Sequence, residues 1–274
     1  MYKEYFHLLQ EPFNITPDPR FLYMTAQHQE ALNHLLYGIR QGKGFICLTG
    51  EVGTGKTTLC RALLNELREG FHTALILNPM LSGTQLLRAV LAEFGVVTKR
   101  LDRLGYLNEL NRFLLAVSAK GETAVLIIDE SQDMSLETLE LARLLSNLET
   151  DSRKLLQILL IGQPELREKL AKPALRQLAQ RITVRYHLGT MSRDDTAMYI
   201  RHRLSVAGEP TPDGAGVYFD DGAISEIHHF SKGTPRLVNC LGDKALLAGY
   251  VYRTDRIDRR LVRLAAEEMK EALA

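Results

Sequence analysis

Residues 45–59 read FICLTGEVGTGKTTL: an apolar run, a glycine-rich turn and the start of a helical pattern. Gly50, Gly55, Lys56 and Thr57 stand at the spacing of a Walker A phosphate-binding loop, with a strand before it and a helix after it. Glycines let the backbone N–H groups of Glu51, Val52, Gly53, Thr54 and Gly55 line an anion-binding concavity, and the helix that follows points its partial positive end at the same spot. Lys56 reaches the β- and γ-phosphates of a nucleoside triphosphate as a mobile point charge. The Thr57 hydroxyl helps hold Mg²⁺, with Thr58 as its neighbour on the helix. A second stretch, VLIIDE at 125–130, is an apolar strand that delivers two carboxylates at its C-terminal end. That is the edge where open parallel sheets bind ligands. There Asp129 acts on Mg²⁺ through its water shell, and Glu130 polarises a water as general base. Such a pair is costly to bury unless metal or hydrogen bonds compensate, so hydrolysis of the bound nucleotide is the expected chemistry.

The elements that must position these groups alternate along the chain. Strand patterns fall near 45–48, 73–77, 124–128, 155–161 and 182–188, with helical patterns between them, two capped by Ser82 and Ser135. This predicts an α/β fold with a parallel five-stranded sheet flanked by helices. Upstream, a helix from Thr25 ends at Gly42 and Gly44. Residues 1–25 carry Pro12, Pro17 and Pro19 among five aromatics, which predicts an extended strap across the following domain. Pro12 and Phe13 are also candidates for an adenine pocket. After 188 the character changes. Ser192 caps a helix, 208–216 with Pro210 and Pro212 is a loop, and helices follow from about 220, 235 and 258 with no strand among them. Two domains are expected: 1–188, strap plus core, and 189–274, all-helical.

Composition narrows the partners. A net charge of +1 over 274 residues gives no global attraction to nucleic acid or to an anionic membrane. No apolar run is long enough to span a bilayer, and residues 1–10 are too polar for a signal peptide, so a cytosolic chain is expected. Cys47, Cys60 and Cys240 lie far apart in apolar segments and suit buried thiols, not a zinc site.

With these motifs in place the chain resembles the AAA+ ATPases, P-loop NTPases with a C-terminal helical lid. The resemblance implies ATP and Mg²⁺ as ligands and a homo-oligomer with nucleotide held between subunits. Gln163, after the strand 159–161, occupies the sensor 1 position, where it orients water or touches the γ-phosphate. Asn78 stands where the family often places an asparagine that restrains the catalytic glutamate, although Asn before Pro79 also makes a turn. The segment 178–182 resembles the one that presents an arginine to the neighbouring subunit's nucleotide, with Arg181 the first candidate and Arg176 the second. Lys232-Gly233-Thr234-Pro235-Arg236 resembles sensor 2, with Arg236 directed at the γ-phosphate.

The opening, with Tyr5-Phe6, Pro12-Phe13 and 17–23 PDPRFLY, resembles the ExeA type of AAA+ protein, of general secretion pathway component A and mannose-sensitive haemagglutinin pilus biogenesis. Asp129-Glu130-Ser131-Gln132 and 161–166 IGQPEL strengthen the match. The resemblance implies work on a cell-envelope secretion or type IV pilus machine with an inner-membrane partner, at the inner face of that membrane. Relatives typically continue into a membrane span and a peptidoglycan-binding domain, neither of which is within these residues. The alternative is a DNA-associated regulator of transposition or replication-initiator type. Two basic clusters bear on it: Lys99, Arg100 and Arg103; and Arg253, Arg256, Arg259, Arg260 and Arg263.

Overall fold

The computed structural model describes residues 1–14, 18–99, 101–150, 153–208 and 216–271. Pro17, Arg100, Pro210 and Pro212 lie outside the described residues. The chain opens on one helical turn, α1 (Tyr2–Tyr5), where proline and aromatic content predict irregular chain, and a 3₁₀ turn follows at Pro19–Phe21. The next elements are α2 (Ala26–Arg40), β1 (Phe45–Gly50), α3 (Lys56–Glu66), β2 (Phe71–Ile76), α4 (Gly83–Glu93), α5 (Arg103–Ala119) and β3 (Thr123–Ile128). They continue with α6 (Leu136–Leu145), β4 (Leu156–Gly162), α7 (Pro164–Leu170), α8 (Arg176–Arg181) and β5 (Ile182–Leu188). Then come α9 (Arg193–Ala207), β6 (Tyr218–Phe219), α10 (Asp221–Ser231), α11 (Pro235–Val251), β7 (Arg256–Ile257) and α12 (Arg259–Glu271).

Two compact units result. One comprises Ala26–Glu51 and Lys56–Leu188; the other comprises Met1–Thr25, Val52–Gly55 and Gly189–Ala274. The break at Gly189 falls where the pattern changes character. The first 25 residues group with the helical unit, unlike the 1–188 grouping read from sequence, and side-chain packing explains why.

In the sheet unit the strands run parallel in the order β2-β3-β4-β1-β5. β3 and β4 are near-continuous apolar runs because helices cover both faces. β5, at the edge, alternates instead: Ile182, Val184 and Leu188 are buried while Thr183, Arg185 and His187 are exposed. Ser82, Ser135 and Ser192 each accept a backbone N–H and start α4, α6 and α9. This strand order matters for chemistry. It places the ends of β3, β4 and β1 side by side at the carboxyl edge, so Gly50, Glu51, Lys56, Asp129, Glu130 and Gln163 converge.

In the helical unit α9 to α12 enclose a core of Ile200, Ile224, Ile227, Val238, Leu241 and Leu246, completed by Phe6 and Phe13 from the N-terminal segment. The Phe13 ring stands edge-on to Phe219 with centroids 5.8 Å apart, and it lies so close to α11 that a Cβ at Gly242 would meet it at 2.9 Å. Arg203, buried, ties the same segment down. Its guanidinium donates to the carbonyls of Pro12 and Asn14, accompanied by the Tyr199 hydroxyl, and sits 4.7 Å from the Phe21 ring centre. Tyr2 donates to Asp243 at 2.5 Å, and burial, aided by this bond, pushes the Tyr2 phenol up. The short strands β6 and β7 pair in parallel, a correction to the strand-free reading of this region.

Lys232 and Gly233 end α10 in left-handed conformations. The Gly233 carbonyl accepts from Met191 N at 2.9 Å, and a Cβ there would stand 2.0 Å from the Met191 carbonyl oxygen. Gly233→Ala is therefore expected to cost the helical unit about 2–4 kcal/mol, from positive φ plus forced backbone separation. Denaturant unfolding of this variant at wild-type stability would contradict that packing.

Candidate nucleotide site

The loop between β1 and α3 turns twice through positive φ, at Gly53 (+78°) and Gly55 (+99°), which aims consecutive N–H groups into one concavity. A side chain at Gly53 would collide, because its Cβ would stand 2.7 Å from the Arg236 Cβ. Lys56 opens α3 and is buried, its Nζ donating to the carbonyls of Gly50 (2.7 Å) and Glu51 (2.9 Å). Burial holds its ammonium below the ordinary lysine range, opposed by Glu130, Asp129 and Glu51. A polyphosphate would remove that penalty.

Asp129 is also buried, and desolvation raises its carboxyl above the usual range. Oδ1 accepts the Glu130 N–H at 2.9 Å, and Oδ2 accepts from the Thr57 hydroxyl at 3.2 Å. One hydroxyl and one carboxylate oxygen beside a phosphate cradle suit Mg²⁺, which binds through few protein oxygens and completes its shell with water and phosphate. Among the described residues no group of three His, Cys, Asp or Glu is placed to cage a metal. Cys47 and Cys60, nearby, are buried thiols pushed up to about 11 and about 12, mainly by desolvation, and so stay protonated.

Glu130 adopts a left-handed backbone (φ 50°, ψ 38°), a strain of about 1–2 kcal/mol for a residue with a Cβ. Its Oε2 accepts from Gln132 Nε2 at 2.8 Å and from Gln163 Nε2 at 3.2 Å. The structure thus joins Gln163 to Glu130. Asn78 instead makes the turn, accepting from Met80 N at 3.2 Å. Gln132 had no assigned role in the sequence. The one local signal for it is an amide two residues beyond the carboxylate, in a segment too tight for helical or strand periodicity.

The remaining candidates are placed as follows. Arg236, exposed, is the second residue of α11 after Pro235, and its N–H lies 3.4 Å from the Gly53 carbonyl, so the sensor-like segment stands against the tip of the glycine loop. Arg181 ends α8, half-buried, with its guanidinium donating to Ser146 (3.2 Å) and Asn147. Arg176, exposed, begins the same helix. Pro12 and Phe13 are buried in the helical unit, with the Phe13 ring enclosed by its own core.

A glycine loop entering a helix, a hydroxyl and carboxylate for a hard cation, and a held glutamate at the carboxyl edge of a parallel sheet define a P-loop NTPase of AAA+ architecture. Residues 39–170 match the family described as AAA domain. Over 270 residues, 98% of this chain, there is 47% identity to general secretion pathway protein A of Aeromonas hydrophila. The chain is thus an AAA+ domain protein whose sequence is similar over nearly its whole length to general secretion pathway protein A. It spans 48% of the length of that relative. Solved structures agree in fold alone. Cdc6p from Pyrobaculum aerophilum superposes with a TM-score of 0.70 at 15% identity, covering 95% of this chain and 71% of that one. The ADP form of Aeropyrum pernix ORC2 gives 0.66 at 17%, covering 96% and 73%. The RuvB Holliday junction branch migration motor of Thermotoga maritima gives 0.53 at 21%, covering 90% and 72%.

Proposed function

We propose that the chain binds ATP with Mg²⁺ at the glycine loop and hydrolyses it in a homo-oligomer, and that turnover drives assembly of a cell-envelope secretion or type IV pilus machine. The observation that carries this is the convergence of Lys56, Thr57, Asp129 and Glu130 at the carboxyl edge of the sheet, where only β4 separates β3 from β1 and the Thr57 hydroxyl reaches Asp129, with Glu130 held by two amides. In this reading Lys56 and the loop N–H groups hold the β- and γ-phosphates, and Thr57 and Asp129 hold the metal. Magnesium supplies charge neutralisation across the phosphate oxygens. Glu130 takes the proton from the attacking water, and Arg236 approaches the phosphates from the glycine-loop side. Pro12 and Phe13 shape the adenine pocket, Phe13 by anchoring the strap instead of offering its ring. The next subunit supplies Arg181, with Arg176 the other candidate. The general secretion pathway protein A likeness supports an inner-membrane protein as partner and the cytoplasmic face of that membrane as the place. Among the described residues no helix is long and apolar enough to cross a membrane.

The arginine is tested by mixing. Arg181→Ala is expected to hydrolyse ATP about 10³-fold more slowly or worse. Mixed with Glu130→Gln it should recover activity at about a quarter of the subunit seams, those where an intact Glu130 faces an intact Arg181. Normal turnover by Arg181→Ala, together with loss in Arg176→Ala, would move the role to Arg176. Normal turnover in both would end the trans-arginine reading.

The DNA alternative is weakened by how the C-terminal arginines are used. Arg256 pairs with Asp220 (2.9 Å), Arg259 and Arg263 pair with Glu226 (3.4 and 2.7 Å), and Arg253 and Arg260 lie over the rings of Tyr250 and Tyr252. In the other cluster Arg103 pairs with Glu137 at 3.5 Å. Hydrolysis stimulated by duplex DNA with a steep salt dependence would restore that alternative.

A further inference from the structure

The two amides on Glu130 fall on the same oxygen, Oε2, and they are not equivalent. Gln132 is anchored at both ends of its amide. Its Nε2 donates to Glu130, while its Oε1 accepts the backbone N–H of Gln163 at 3.0 Å. Its main chain is pinned too. Lys169, from α7, donates Nζ to the carbonyls of Gln132 and Met134, the latter at 2.8 Å. The fit around this amide leaves little room, because a Cβ at Gly162 would stand 2.9 Å from Gln132 Oε1. Ser131, fully buried, bonds back to the Ile128 carbonyl at 2.8 Å and completes the turn.

A glutamate beside a buried aspartate, on a left-handed backbone, has a flexible side chain and a like charge next door. Left alone it would swing toward solvent. Donors confined to one oxygen remove that freedom and turn the second oxygen toward whatever occupies the phosphate side. We infer that Gln132 is a positioning residue: its amide fixes Glu130 Oε2 so that Oε1 faces the attacking water, with the β4–α7 junction as the fixed reference. The inference rests on Glu130 being the base, as proposed above.

Two substitutions separate this role from a structural staple. Gln132→Glu keeps an oxygen for the Gln163 N–H but loses the donor to Glu130; Gln132→Ala loses both. In nucleotide-free protein, amide exchange over residues 162–166 should speed up in Gln132→Ala and stay near wild type in Gln132→Glu. Both variants should lower kcat by about tenfold or more, with ATP affinity, measured directly, within about twofold of wild type. A Gln132→Glu protein that hydrolyses ATP at the wild-type rate would overturn the inference, leaving Gln132 a staple. Turnover that rises in either variant would also overturn it, since the amide would then restrain the base instead of aiming it. The parent reading fails separately: if Glu130→Gln turns over normally, the base lies elsewhere, whatever Gln132 does.

Discussion

Lys56→Ala is expected to lose at least about two orders of magnitude in ATP affinity, from a lost charge-assisted contact to phosphate in a partly desolvated site. The lysine is buried at the start of α3, with its Nζ on two carbonyls of the loop it serves. Its burial penalty makes it a group that gains from a polyanion. The measurement is equilibrium binding of labelled ATP with Mg²⁺, paired with thermal unfolding. A ligand held at 100 times its Kd stabilises the folded chain by about 2.7 kcal/mol, against about 0.4 kcal/mol or less for a site at least a hundredfold weaker, so ATP should raise the wild-type melting temperature and barely shift that of Lys56→Ala. Truncation also removes the donor to Gly50 and Glu51. Lys56→Met, which preserves the aliphatic volume, checks that lost binding is not lost folding. Undiminished ATP binding by both variants would remove the phosphate role from this loop.

Glu130→Gln is expected to do the opposite, keeping ATP and losing turnover. The amide replaces a carboxylate of the same shape, and its oxygen still accepts from Gln132 and Gln163, so the turn at 130–133 has no reason to rearrange. What disappears is the capacity to take a proton. General-base catalysis is worth about 10²–10⁴ in rate, and single-turnover hydrolysis should fall by that factor while ATP affinity holds. With hydrolysis blocked, stoichiometric ATP should trap the homo-oligomer, read as a larger species in size-exclusion chromatography with light scattering. Normal single turnover would reject Glu130 as the base.

Much of the site was legible because its parts are local. In 50–57 the glycines that permit the turn, the lysine proposed for the phosphate and the threonine proposed for the cation lie within one turn of chain, so one stretch specifies both the conformation and the proposed chemistry. The same holds for VLIIDE, where hydrophobic length announces a covered strand and the carboxylates mark its end. Serine caps at 82, 135 and 192 worked for that reason too: the hydroxyl and the N–H it receives lie within three residues of each other.

What only the tertiary structure decided depends on partners far apart in the chain. Gln132 and Gln163 converge on Glu130 because β3 and β4 are neighbours, and no periodicity encodes that pairing. The first 25 residues joined the helical unit because Phe13 found Gly242 and Phe219, and Arg203 found the Pro12 and Asn14 carbonyls. Asn78 and the C-terminal arginines divide in the same way: type and spacing made each available for more than one contact, and the N–H, carboxylate or ring within reach decided which contact each makes. Short-range order therefore wrote the nucleotide loop, the carboxylate strand and the alternating α/β pattern into the sequence itself. Side-chain contacts between distant segments decided which glutamines hold Glu130 and which unit owns the strap, because those energies exist only once the chain has closed on itself.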